Sequence, residues 1–226
     1  MEVIDKLASG KAAGKDGIPG EVIRSGKQCL LGPLHSLLLQ CWEEGEISQV
    51  MRNAIIITLY KNRRDRTDCN NYRAISLLSV VGKLFAWTVL SRLQLLAERI
   101  YLESQHGYRS ERSTVDMVFS LRLLRPFDLV SRDGLFKMLP LIGCPPKVLS
   151  IVKSFQNGMM STVQSDGDIS EEFGIKSGVE QGCVLAPTLF GIFFSLLLKH
   201  AFGSSNEIRS CVLRSSHNFF KKSPEK

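Results

Sequence analysis

Cysteine is sparse and unpatterned in this chain of 226 residues. Cys29, Cys41, Cys69, Cys144, Cys183 and Cys211 form no CxxC and keep no paired spacing with histidine. That excludes a zinc ribbon or finger and a disulfide framework, and leaves buried or idle thiols of a reducing compartment. A long hydrophobic run is missing too: the longest, LFGIFFSLLL at 189–198, is too short to cross a bilayer and reads as a core helix. The opening MEVIDKLASGKAAGKDG has no apolar signal core and carries acids early, so secretion is not expected. The expected setting is intracellular with no membrane partner, nucleus and cytoplasm both remaining open. No internal repeat is present.

What is there is ordinary globular material with a basic balance. Hydrophobic residues make up 44% and charged residues 23%, and the formal net charge is +7 with a pI near 9.2. The length suits one domain or two small ones with a sizeable core. A basic balance favours an acidic partner, nucleic acid being the commonest.

Periodicity organises the chain. KAAGKDGIPGEVIRSG (11–26) is rich in glycine and lysine, with Pro19 opening a short helical stretch. LLGPLHSLLLQCWEEGEI (30–47) has helical spacing, with Pro33 in its first turn and Gly45 at its end. AIIITLYK (54–61) is a β-branched run and the strongest strand signal, and KNRRDRTDCNN (61–71) after it reads as a solvated loop. Helices are predicted over 79–100, 113–124, 131–143 and 145–158, the last two closed by glycine. MMSTVQSDGDISEEFGIK (159–176) alternates on both sides of Asp-Gly and predicts a β-hairpin. An apolar helix begins near Pro187, and the tail from 203 to 226 loses periodicity and reads as disordered. Strands interleaved with long helices predict a mixed α/β (α+β) fold, mostly helical.

Five stretches in order carry a resemblance: KAAGKDGIPGEVI, NYRAISLLSVVGKLF, ESQHGYRSERSTVDMVFSL, FDLVSRDGLFKML and SGVEQGCVLAPTLFGIFF. Together they resemble the reverse transcriptase domain of non-long-terminal-repeat retrotransposons, of the jockey-like and LINE-type groups, from about residue 6 to residue 202. The resemblance implies a partial right-hand polymerase fold, with a fingers-like part over 1–125, an incomplete palm-like part over 126–202, and the tail beyond. It implies template-directed nucleotide transfer to a primer 3′-OH, which in the family uses two Mg²⁺ ions held by palm carboxylates.

By position in those motifs, Arg73 corresponds to the arginine that meets the incoming triphosphate, a role its guanidinium fork suits. Lys61 resembles a second phosphate contact; taken without the family, either residue reads as a surface cation. Gln105, Arg109 and Arg112 resemble the loop that tracks the template strand, a stretch that equally reads as a polar turn before a helix cap. Gln181 and Gly182 match the pair beside the nascent base pair, where a bare backbone lets a nucleotide pack closely. Phe127 matches the residue that crowds the sugar's 2′ position. The expected partner is RNA or DNA, held weakly through the basic fingers.

The metal ligands depart from this pattern. With Phe127 and Asp128 matched to the family's Phe-Asp, the first catalytic aspartate falls on Arg122. No Asp-Asp pair occurs anywhere in the 226 residues. SDGDISEE lacks the spacing of a calcium loop and reads as a hairpin turn, and Asp128 and Asp133 read as helix-start or ion-pair residues. No intact catalytic residue, no metal site and no productively bound cofactor are therefore expected. The implied reading is an internally deleted, catalytically silent reverse-transcriptase-like chain. The alternative is a non-catalytic basic RNA-binding or structural protein. A missing palm strand also predicts that the apolar helix near 186–202 loses part of its cover.

Overall fold

The computed structural model describes residues 2–62, 65–101, 130–165, 167–175, 178–179 and 183–202. The helix expected over 113–124 and the tail lie outside these residues. The described residues divide into two compact units, one drawn from 2–88, 150–175 and 183–184, the other from 89–101, 130–149, 178–179 and 185–202.

The first unit opens with α1 (Glu2–Asp5), α2 (Gly20–Ser25), α3 (Lys27–Glu44) and α4 (Gln49–Arg52). Pro19 caps α2 as expected. Gly45 ends α3 in the left-handed region (φ 75°), its N–H donating to the Cys41 carbonyl at 3.0 Å. Pro33 falls in the second turn of α3, not the first, because the helix begins earlier than its leucines suggest. Its missing N–H leaves the Cys29 carbonyl without a helical donor, but both residues are exposed and water can serve that oxygen. Ile4, Leu7 and Ile23 form a core with Val80 and Leu84 of α5 (Val80–Glu98), and Leu30, Leu31 and Leu34 of α3 pack against it.

The sheet follows from β1 (Ala54–Tyr60), the predicted β-branched strand. It pairs antiparallel with β2 (Tyr72–Leu78), in register from Ala54↔Leu78 to Tyr60↔Tyr72. On its other side it pairs parallel with β3 (Met160–Ser165), from Ala54↔Ser161 to Ile57↔Gln164. The Ser161 hydroxyl donates to the Ala54 carbonyl at 3.0 Å, so the buried serine is satisfied at the seam. The predicted hairpin is present: Ser165 pairs with Asp168 across the Asp-Gly turn, with Gly167 at φ 97°. Its return strand is split into β4 (Asp168–Ile169) and β5 (Phe173–Gly174). Three residues lie between Ile169 and Phe173 where two lie between their partners Gln164 and Ser161, so the return carries a one-residue bulge.

The second unit holds α6 (Arg132–Leu141), the first residues of α7 (Pro146–Gln156), and α8 (Ala186–Phe202). The Ser131 hydroxyl caps α6 by accepting from the Gly134 N–H at 3.2 Å, and Asp133 sits in the first turn, a helix-start residue as expected. Gly143 and Gly158 follow α6 and α7 at φ 80° and 65°. Pro187 lies in the first turn of α8, where its missing N–H has no helical partner to lose. Leu189, Ile192, Phe193 and Leu196 of α8 are buried, which corrects the expectation of a poorly covered helix. By length and composition α5 could cross a membrane, but its Val80, Leu84, Phe85, Val89 and Leu93 are buried inside the protein.

Candidate functional site

The β1–β2 hairpin places the two predicted phosphate contacts. Side chains alternate faces along a strand, so the register decides which residues meet. Arg73 stands opposite Leu59, and the Lys61 N–H donates to the Asn71 carbonyl at 2.7 Å, continuing the ladder one step beyond Tyr60↔Tyr72. Lys61 and Arg73 therefore share one face as diagonal neighbours, roughly 7–8 Å apart. Arg73 is exposed and makes no ion pair or side-chain hydrogen bond among the described residues; Lys61 is half-buried. Leu59 and Ile75 flank Arg73 on this face at 47% and 37% exposure, so the guanidinium sits on an open apolar surface.

The opposite face carries a different chemistry. Tyr60 and Tyr72 face each other with ring centroids 5.4 Å apart and planes at 53°. The Arg66 guanidinium lies over the Tyr60 ring, 5.2 Å from its centre. The Tyr72 hydroxyl donates to the Arg66 carbonyl at 3.0 Å. Asn62, at φ 57°, turns the chain out of β1, a conformation asparagine tolerates better than most residues. Asp65 accepts from both the N–H and the hydroxyl of Thr67 at 2.8 Å, and those bonds hold its carboxyl below the usual range. The carboxylate is thus engaged within the turn. Sequence reasoning missed this aromatic pair; the signal was a tyrosine at each end of the loop, readable only once the strands are paired.

The other predicted residues divide by what is described. Gln105, Arg109, Arg112, Arg122, Phe127, Gln181 and Gly182 lie outside the described residues, as do Arg63 and Arg64. Ahead of the Gln-Gly pair, Gly178 adopts φ 77° and Val179 is buried. The buried Arg132 donates from Nε to the Gly178 carbonyl at 2.7 Å, a tie that sequence reasoning did not anticipate. In SDGDISEE, Glu172 is ion-paired with Lys15 at 2.5 Å and Asp168 lies in β4, in keeping with a hairpin. No three Asp, Glu, His or Cys side chains gather as a metal site among the described residues.

Two glycines in matching motifs have packing reasons. A Cβ on Gly14 would lie 2.5 Å from the Leu78 carbonyl oxygen, and one on Gly82 would lie 2.4 Å from that of Met51. The Gly82 N–H also donates to the Ser79 hydroxyl at 3.0 Å, capping α5. Lys83, next in the helix, is partly desolvated, which lowers its pKa, with Asp16 acting the other way. The five described cysteines are free thiols, and burial pushes Cys144 up to about 11, far from a reactive thiolate.

Comparison with known proteins bears on this geometry. Residues 60–209 match the family model described as reverse transcriptase (RNA-dependent DNA polymerase), which is more than half of the chain. The chain is 29% identical to the RNA-directed DNA polymerase from mobile element jockey of Drosophila funebris, over 85% of this chain and 23% of that protein. It is also 29% identical to the jockey polymerase of Drosophila melanogaster, over 88% of this chain and 24% of that protein. The transposon TX1 uncharacterized 149 kDa protein of Xenopus laevis is 25% identical over 85% of this chain and 16% of that protein. The chain thus spans about a quarter of the length of the jockey proteins it matches.

Proposed function

This chain belongs to the reverse transcriptase (RNA-dependent DNA polymerase) family, and from that premise we propose that it is a nucleotide- and nucleic-acid-holding part of a retrotransposon polymerase domain that performs no chemistry itself. The observation that carries the first half is the shared face of Lys61 and Arg73. A guanidinium fork can take two phosphate oxygens at once, and the lysine supplies a second positive charge beside it. Arg73 is exposed on this face, so a triphosphate would meet it with no buried charge to compensate.

The second half rests on donor chemistry. Phosphoryl transfer in this family draws on two Mg²⁺ ions, which polarise the attacking hydroxyl and neutralise charge on the leaving group. The residues present do not fit such a pair. The first ligand position holds Arg122, a cation that repels metal, and no carboxylate cluster is gathered among the described residues. Holding a nucleotide equally well in ground and transition states does not accelerate its reaction. The role left to Arg73, Lys61, Gln181 and Gly182 is binding, with Gln105, Arg109 and Arg112 on a template strand.

Primer extension on an RNA template tests this reading. No product is expected with Mg²⁺ or Mn²⁺, from the wild-type chain or from Arg122→Asp, beside an intact family enzyme as positive control. Template-dependent product from the wild-type chain above a heat-killed sample would overturn it.

A further inference from the structure

We infer that Tyr60, Tyr72 and Arg66 form a base-stacking seat for a single nucleic-acid strand, on the hairpin face opposite Arg73 and Lys61. It rests on reading this hairpin as a nucleic-acid surface, but not on the triphosphate site. Tyr60 pairs with Tyr72 while Arg73 pairs with Leu59, so strand alternation puts the two sets on opposite faces and one nucleotide cannot use both. The seat needs its own ligand, and its chemistry names the class: aromatic faces beside a guanidinium take unpaired bases and their phosphates.

Three features go beyond a pair that merely clamps the strands. The register is already set by seven ladder pairs and by the Lys61 N–H to Asn71 carbonyl bond, so no aromatic clamp is required. Neither ring is fully buried, although each carries a large apolar face. The Tyr72 hydroxyl holds the Arg66 backbone, and the guanidinium of this exposed residue lies over Tyr60, 5.2 Å from the ring centre. Asp65, the nearest carboxylate in sequence, is turned onto Thr67, and Arg66 has no ion pair among the described residues. Its charge is open to a phosphate beside a stacked base.

The test measures affinity of the full chain for a short labelled single-stranded RNA, for DNA of the same sequence, and for an abasic strand of equal length. A stacking seat makes the base-bearing strand bind about tenfold more tightly than the abasic one. Tyr60→Leu should abolish that ratio while most abasic binding remains, and Tyr60→Phe should keep it, Tyr72 and its bond to the Arg66 carbonyl staying in place in both. Equal ratios for RNA and DNA assign the seat to any single strand, whereas a ratio confined to RNA assigns it to RNA. Arg73→Ala should leave the ratio intact, so failure of the triphosphate site and failure of the seat give different results. Photo-crosslinking of 5-iodouridine RNA to the unaltered chain needs no variant and should label the peptide bearing Tyr60 or Tyr72. Equal affinity for base-bearing and abasic strands, or no crosslink at either tyrosine, overturns the inference.

Discussion

The two ends of one β-hairpin are built from the same ladder and have opposite surroundings. At one end Ala54 and Leu78 are fully buried and Ser79 nearly so, with Gly14 and Gly82 pressed against backbone. At the other end Arg73 is exposed, Leu59 is half open to solvent, and Tyr60, paired with Tyr72, stands under Arg66. One strand of each end, at Tyr72–Arg73 and at Leu78–Ser79, lies within a single stretch that resembles a polymerase motif. Membership of a motif therefore does not say whether a residue packs; burial along the hairpin does.

The largest expected effect breaks the packed end. Gly82→Ala and Gly14→Ala each drive a methyl group into backbone that cannot swing aside, and overpacking of this kind costs about 1–3 kcal/mol. Denaturant midpoints should fall accordingly, with nucleotide binding lost only as the fold is lost. A change within about 0.5 kcal/mol, the range of ordinary surface substitutions, would show that the junction is looser than its geometry indicates.

At the open end the effect should be on binding alone. Arg73→Ala removes a charge-assisted contact and should weaken nucleoside triphosphate binding about tenfold, with the denaturant midpoint nearly unchanged. Arg73→Lys should recover only part of it, because an ammonium cannot match the two-pronged contact. Stability loss without an affinity change would move Arg73 to the packing side of the comparison.

The smallest effect sharpens the packed end through pH. Burial holds the Lys83 pKa below its ordinary 10.5, only partly offset by Asp16. The unfolded chain therefore binds this proton more tightly than the folded one, and stability rises with pH between the depressed folded value and the unfolded value. Below that window the cost of the buried charge is fully present. Lys83→Met should relieve it, giving a slightly higher midpoint at neutral pH and a flatter profile in the alkaline range. A wild-type profile falling through that window, with no difference in Lys83→Met, would contradict it.

Much of the architecture was legible before any coordinates. The β-branched run at 54–60, the Asp-Gly hairpin, Pro19 before α2, Gly45 after α3 and Pro187 in α8 follow from local chemistry that neighbours do not override. β2 was not, although it is as long as β1. Its residues Tyr72, Arg73, Ala74, Ile75, Ser76, Leu77 and Leu78 lack a polar–apolar alternation because burial changes along the strand, not across it. The bulge in the return strand was equally silent, since one extra residue leaves no mark on composition.

The sequence by itself determined the family, because five motifs in fixed order require no knowledge of contacts. Only the tertiary structure decided that Lys61 and Arg73 share a face while Tyr60 and Tyr72 take the other, and that Gly14 and Gly82 are there for packing. The reason is physical: a side chain's face and neighbours depend on strand register and on segments far away in the chain. The parallel seam between Ala54 and Ser161 joins residues more than a hundred positions apart, a closure that no local pattern encodes.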